Sequence, residues 1–191
     1  MSERLPRAVL DSDVIFSRVL HELFGRVAAE ARLLDLIWSE PLLAEAERVL
    51  IERKPVPPQV AARWVGYLRQ AFPGGEVDIT RLDPAIDLAI LTSDPDDQHV
   101  CALAIVGEAD YLFSFDRAYL RKELAAHGVD VLSPDVILST LIDSEPEALR
   151  TVIVEQAAIW GGGRAIGELL DSYERAKSPV FARRARALFE E

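Results

Sequence analysis

Ala8-Val-Leu-Asp-Ser-Asp-Val-Ile15 is the stretch on which the fold turns: an apolar run ends in aspartate, and a helical pattern starts directly behind it. Ala8, Val9 and Leu10 lack polar alternation, as in a strand covered on both faces, which is the habit of parallel sheets. Behind them Val14, Val19, Leu20, Leu23, Phe24 and Val27 recur at helical spacing, predicting a helix over residues 14–31. Leu33-Leu-Asp-Leu-Ile-Trp38 is a second strand-like run, which completes a strand-helix-strand unit.

Working outward, Ser39 is the expected cap of a helix with Pro41 in its first turn and Leu42, Leu43, Ala46, Val49 and Leu50 on one face. Lys54-Pro-Val-Pro-Pro58 stops it. A further helix over 59–71 carries Val60, Trp64, Tyr67 and Leu68 and closes at Phe72-Pro-Gly-Gly75, followed by an extended stretch over 77–82. Asp94-Pro-Asp-Asp97 then opens an apolar helix reaching Gly107, with its acids where the helix dipole favours them. Tyr111-Leu-Phe-Ser114 and Val129-Asp-Val-Leu132 read as strands separated by an amphipathic segment over 117–126. The alternation predicts a three-layer α/β/α sandwich with a mostly parallel central sheet.

After Pro134 only helical patterns remain. Ser144-Glu-Pro-Glu147 reads as a capping box, Gly161-Gly-Gly163 as a break, 165–177 as a helix, and Ser178-Pro179 as the cap and first residue of a last one. The expected division is an α/β domain over 1–135 and a helical C-terminal extension over 136–191.

A chain of 191 residues, 50% hydrophobic and 28% charged, suits one cored domain with a small appendage. The longest apolar run, 100–106, is far below the roughly 20 residues of a membrane span, and Met1-Ser-Glu-Arg-Leu-Pro6 lacks a signal peptide's apolar core. The expected location is the cytoplasm, away from the membrane. Cys101, the single cysteine, excludes an intrachain disulfide and a cysteine-cluster zinc site. A net charge of -11 opposes a broad grip on phosphates. The basic exception is the C-terminal end, where Arg175, Lys177, Arg183, Arg184 and Arg186 meet no acid up to Phe189. Arg183, Arg184 and Arg186 are therefore candidate RNA contacts, with a solvated helix face as the alternative.

Ligands of parallel α/β sheets gather beyond the carboxyl ends of the strands. Four acids qualify: Asp11 ends the first strand, Glu45 lies in the second turn after strand two, Asp97 begins the apolar helix, and Asp116 follows a later strand. Singly, each has an ordinary alternative as a cap, a turn residue or a solvated helix position. Together, each pair of carboxylates about 4 Å apart costs roughly 1–4 kcal/mol, which a hard divalent cation relieves. Mg²⁺ suits them because it takes one or two carboxylates and keeps waters. The matching chemistry is phosphodiester hydrolysis.

In their order these segments resemble the PIN-domain family, particularly the VapC-type toxin ribonucleases of toxin-antitoxin modules. The resemblance covers residues 7–135 and is carried by Leu10-Asp-Ser-Asp-Val-Ile-Phe-Ser17, Ser39-Glu-Pro-Leu-Leu-Ala-Glu45, Asp94-Pro-Asp-Asp-Gln-His-Val-Cys-Ala-Leu-Ala104 and Ala109-Asp-Tyr-Leu-Phe-Ser-Phe-Asp116. It implies Asp11, Glu45, Asp97 and Asp116 as metal-binding acids, with Ser114 lending a supporting hydroxyl. It further implies Mg²⁺ or Mn²⁺, an RNA substrate, a homodimer and a neutralising antitoxin. Asp13 departs from the family's usual asparagine.

Two rival readings stand beside it. Val9-Leu-Asp-Ser-Asp-Val14 also fits the paired aspartates of haloacid dehalogenase-type phosphatases, with Asp11 as nucleophile, Asp13 as acid and Ser39 as phosphate contact; that reading needs a placed lysine, and only Lys54, Lys122 and Lys177 exist. A catalytically silent PIN-like binding module is the other.

Overall fold

A computed structural model describes residues 4–54, 56–159 and 165–190. In chain order its elements are β1 (Arg7–Leu10), α1 (Ser12–Phe16), α2 (Arg18–Ala29), β2 (Asp35–Ile37), α3 (Glu40–Arg53), α4 (Pro58–Ala71), α5 (Gln98–Val106), β3 (Tyr111–Phe113), α6 (Arg121–Ala126), β4 (Asp130–Leu132), α7 (Pro134–Ser144), α8 (Pro146–Ile159), α9 (Ile166–Arg175) and α10 (Pro179–Glu190). Two compact units result. The first takes the described residues up to Phe16 together with Leu34–Leu132, the second Ser17–Leu33 and the described residues from Ser133 on.

The first unit is α/β, built on a four-stranded sheet of order β2-β1-β3-β4 with every neighbour parallel. Val9 pairs with Ile37 on one side and Leu112 on the other, and Leu112 pairs with Val131. Ala8, Val9, Leu36, Leu112 and Phe113 are buried, as their unbroken apolar runs require. From β1 the chain goes to β2 on one side, then crosses back to β3 on the other. The switch therefore falls between β1 and β3, where the carboxyl ends of adjacent strands leave a crevice. Asp11 and Ser114 extend the ladder into it: the Asp11 amide donates to the Phe113 carbonyl at 3.0 Å and the Ser114 amide to the Leu132 carbonyl at 3.1 Å.

Short α1 begins in that crevice, and its far end is held by side chains from α3 and α4. Lys54 donates to the Phe16 carbonyl at 2.8 Å and Trp64 Nε1 to the Ile15 carbonyl at 3.1 Å, so otherwise unsatisfied helix-end carbonyls are paired. The Lys54 ammonium also lies over the rings of Phe16 and Trp64, 4.1 and 4.6 Å from their centroids. Gly75 passes against β2, where its carbonyl accepts the Trp38 amide at 2.9 Å. Any Cβ there would collide with the Leu36 carbonyl.

The structure corrects several expectations. The helix over 14–31 is two helices, parted at Ser17 in extended backbone, φ -81° and ψ 97°. Val14 and Ile15 bury in the first unit while Val19, Leu20, Leu23 and Phe24 bury in the second, so the helical spacing runs across a boundary it does not reveal. A domain division at residue 135 would leave α2 with the sheet, whereas α2 packs with the C-terminal helices. The stretch over 77–82 contains a 3-10 turn, Ile79–Arg81, capped by Asp78. Ser39 stands at the N-cap of α3 but its hydroxyl makes no capping bond.

In the second unit, Gln156 bridges helices by donating to the Val19 carbonyl at 3.0 Å and accepting the Tyr173 hydroxyl at 2.5 Å. Ser144 ends α7 and donates to the Leu141 carbonyl, so the capping box before α8 does not form. The first turn of α10 is capped from a distance: the Asp135 carboxylate, in place of Ser178, accepts the amides of Phe181 at 2.8 Å and Val180 at 3.3 Å. The break assigned to Gly161–Gly163 lies outside the described residues. Among the described residues no helix is long and apolar enough to cross a membrane.

Candidate active site

Asp11 is the centre of the crevice. It is 3% exposed, and each of its oxygens is engaged. Oδ1 accepts the Ser12 amide at 2.7 Å, while Oδ2 accepts the Ser114 hydroxyl at 2.6 Å and the Tyr119 hydroxyl at 3.0 Å. Burial pushes the Asp11 carboxyl above the usual range, opposed by those donors and reinforced by the Glu45 charge.

A chain of contacts spreads from it. The Ser114 hydroxyl also accepts the Asp116 amide at 2.9 Å, and Asp116 Oδ1 accepts the Ala118 amide at 2.8 Å in a tight turn. On the other side the Ser12 hydroxyl donates to Glu45 Oε1 at 3.0 Å, and His99 Nε2 lies 3.1 Å from Glu45 Oε2. His99 Nδ1 is 2.8 Å from the Asp96 carbonyl, which can only accept, so that nitrogen is the donor. Nε2 then faces a carboxylate, and the imidazolium satisfies both contacts. Burial lowers the His99 pKa, but Glu45 and the Asp96 carbonyl outweigh it and the net displacement is upward. Burial raises Glu45 in turn, and the contacts from His99 and Ser12 bring it net below the usual range.

Asp97 completes the set. Asp94, not Asp97, caps the turn by accepting the Asp96 amide at 3.0 Å, which leaves the Asp97 carboxyl available to the crevice. Its buried Oδ2 has no hydrogen-bond partner among the described residues. Burial first, then the charges of Asp11, Asp94, Asp116 and Glu45, push its pKa up to about 7. Asp11, Glu45, Asp97, Asp116 and Ser114 are thus brought into one mutually interacting group.

Ser12, His99 and Tyr119 were missed as site residues. A serine in a helix's first turn, a helical histidine and a tyrosine in a loop carry no pattern of their own, and their roles arise only from what folds against them. Asp13 accepts the Phe115 amide at 3.0 Å, a bond that needs only an acceptor oxygen and so does not require a carboxylate. Two of the three arginines singled out on α10 are paired within their own unit. Arg184 pairs with Asp143 and donates to the Ser139 carbonyl, and Arg186 pairs with Asp171 at 2.5 Å and Glu174 at 3.2 Å.

With Asp11, Glu45 and Asp116 all near enough to Asp97 to act on its charge, the comparison with known families is decisive: the PIN domain model matches residues 7–118, more than half of the 191. The chain belongs to the PIN domain family. No curated protein and no solved structure matches it. PIN domains are in general metal-dependent nucleases acting on nucleic acid.

The residues of this PIN domain fit a divalent cation by their chemistry. They are hard oxygen donors, one has an unpartnered buried oxygen, and burial together with the neighbouring carboxylates holds a proton on Asp97 near neutrality. Among the described residues no three His, Cys, Asp or Glu side chains form a ready-made cage.

Proposed function

We propose that this PIN domain is an Mg²⁺- or Mn²⁺-dependent endoribonuclease that hydrolyses RNA phosphodiester bonds, with Asp11, Glu45, Asp97 and Asp116 as the metal-holding acids. The observation that carries the proposal is the continuous contact chain from Asp116 through Ser114, Asp11, Ser12 and Glu45 to His99 at the switch between β1 and β3.

Each side chain has a task. Asp11 and Asp97 present the buried oxygens, Glu45 and Asp116 add negative charge at the rim, and Ser114 fixes the Asp11 carboxylate. Ser12 and His99 orient Glu45. When bound, the cation supplies charge against the scissile phosphate and acidifies the attacking water. Asp97 must surrender its proton as the cation enters, so binding strengthens as pH rises towards and past 7.

The resemblance of the four motifs to VapC-type toxins supports a finer reading, in which the chain is the toxin of a toxin-antitoxin pair, works as a homodimer and is neutralised by an antitoxin. The phosphatase alternative has no support from the side chains: Asp13 is bound to the Phe115 amide, Lys54 to the Phe16 carbonyl, and Asp96-Asp97 open a helix instead of ending a strand. The deciding experiment incubates purified protein with varied RNAs in Mg²⁺ or Mn²⁺ beside an Asp11→Asn variant. Metal-dependent cleavage lost in the variant supports the proposal, and cleavage undiminished in the variant refutes it.

A further inference from the structure

Asp11 is held by more donors than its neighbours in the crevice, and the distribution of those donors between its two oxygens is unequal. A carboxylate offers about two acceptor positions on each oxygen. On Oδ2 both are taken, by Ser114 at 2.6 Å and Tyr119 at 3.0 Å. On Oδ1 only the Ser12 amide, at 2.7 Å, is present among the described residues.

Tyr119 is well placed to impose this asymmetry. It is 3% exposed, and its phenolic hydroxyl donates to the carboxylate, which can only accept. Its backbone is pinned by an antiparallel bridge to Thr92, flanked by the Ser93 amide donating to Ala118 at 2.9 Å and the Leu120 amide donating to Leu91 at 2.8 Å. Thr92 lies two residues before Asp94-Pro-Asp-Asp97. One residue thus ties the turn that carries Asp97 to the carboxylate of Asp11.

We propose that the Tyr119 hydroxyl is a positioning group which, with Ser114, reserves Oδ2 of Asp11 and leaves Oδ1 as the oxygen that meets the cation. The inference rests on Asp11 being a metal ligand. Without Tyr119 the carboxylate has an acceptor position open on each oxygen, its rotation about χ2 is less constrained, and the bound ion has two competing arrangements.

The test measures Mn²⁺ binding by electron paramagnetic resonance in wild type, Tyr119→Phe, Tyr119→Leu and Asp11→Asn, with thermal melting in EDTA as the folding control. Loss of a partner hydrogen-bonded to a ligand typically weakens metal binding about 10–100-fold, and both Tyr119 variants are expected in that range. In cleavage assays Tyr119→Phe should raise the half-saturating Mg²⁺ concentration while the rate at saturating Mg²⁺ stays within about threefold of wild type. Wild-type Mn²⁺ affinity in Tyr119→Phe with loss only in Tyr119→Leu would assign Tyr119 to ring packing and overturn the inference. Failure of wild type itself to bind Mn²⁺, with Asp11→Asn indistinguishable from it, would instead overturn the metal reading of the whole site.

Discussion

Replacing Asp97 with asparagine removes one negative charge from a site where burial and four other carboxylates oppose it. The displacement of its carboxyl from 3.8 to about 7 corresponds formally to roughly 4 kcal/mol of unfavourable energy in the ionised folded state. Asp97 is only partly buried, so solvent screening reduces this to roughly 1–2 kcal/mol. The folded carboxyl keeps its proton to higher pH than the unfolded one. The stabilisation from that proton is complete below pH 3.8 and is lost as pH rises through about 7. In EDTA at pH 8, Asp97→Asn should therefore melt above wild type by about 2–8 °C, and the gap should narrow as pH falls towards 4. Mg²⁺ should stabilise wild type at pH 8 and the variant much less. The assay is thermal unfolding followed by circular dichroism across pH, with and without Mg²⁺. A variant no more stable than wild type at pH 8 in EDTA would refute the account of Asp97 as a site of unrelieved repulsion.

Gly75→Ala forces a methyl group against the Leu36 carbonyl and should destabilise the α/β unit by about 1–3 kcal/mol, read as a lower urea midpoint. His21 is buried in α2, which lowers its pKa from 6.5 to about 4; its neutral form stabilises the fold fully above pH 6.5, and roughly 3 kcal/mol is lost as pH falls through 4. His21→Gln should flatten the wild-type loss of stability between those limits in urea titrations at stepped pH. Replacing Arg183, Arg184 and Arg186 with glutamine removes two exposed ion-pair centres worth up to about 1 kcal/mol per pair. Melting temperature should drop, and RNA binding should weaken with a shallower salt dependence if α10 contacts the substrate; affinity unchanged at every salt concentration would remove that reading and leave α10 a solvated helix face.

Chain order alone made much of the sheet and its acids legible. Unbroken apolar runs at Ala8–Leu10 and Tyr111–Phe113 have to be covered on both faces, so they announce a parallel sheet, and Asp11 and Ser114 directly behind them, with Asp116 two residues further on, must emerge at its carboxyl edge. Burial and backbone pairing act on every residue of such a run, which is why local pattern suffices. Helix caps were less legible, because Asp135 serves α10 from 45 and 46 residues away and no local pattern records that distance.

What the tertiary structure decided is how the acids are held and which helices share a core. α2 continues the spacing of α1 yet buries with α8 and α9, since hydrophobic periodicity states that a face is covered without stating by what. Likewise Tyr119, 108 positions from Asp11, becomes its hydrogen-bond donor only because β1 and β3 are neighbours in the sheet. A hydrogen bond between side chains depends on ångström placement in space, and residue order constrains that placement only after the whole unit has folded.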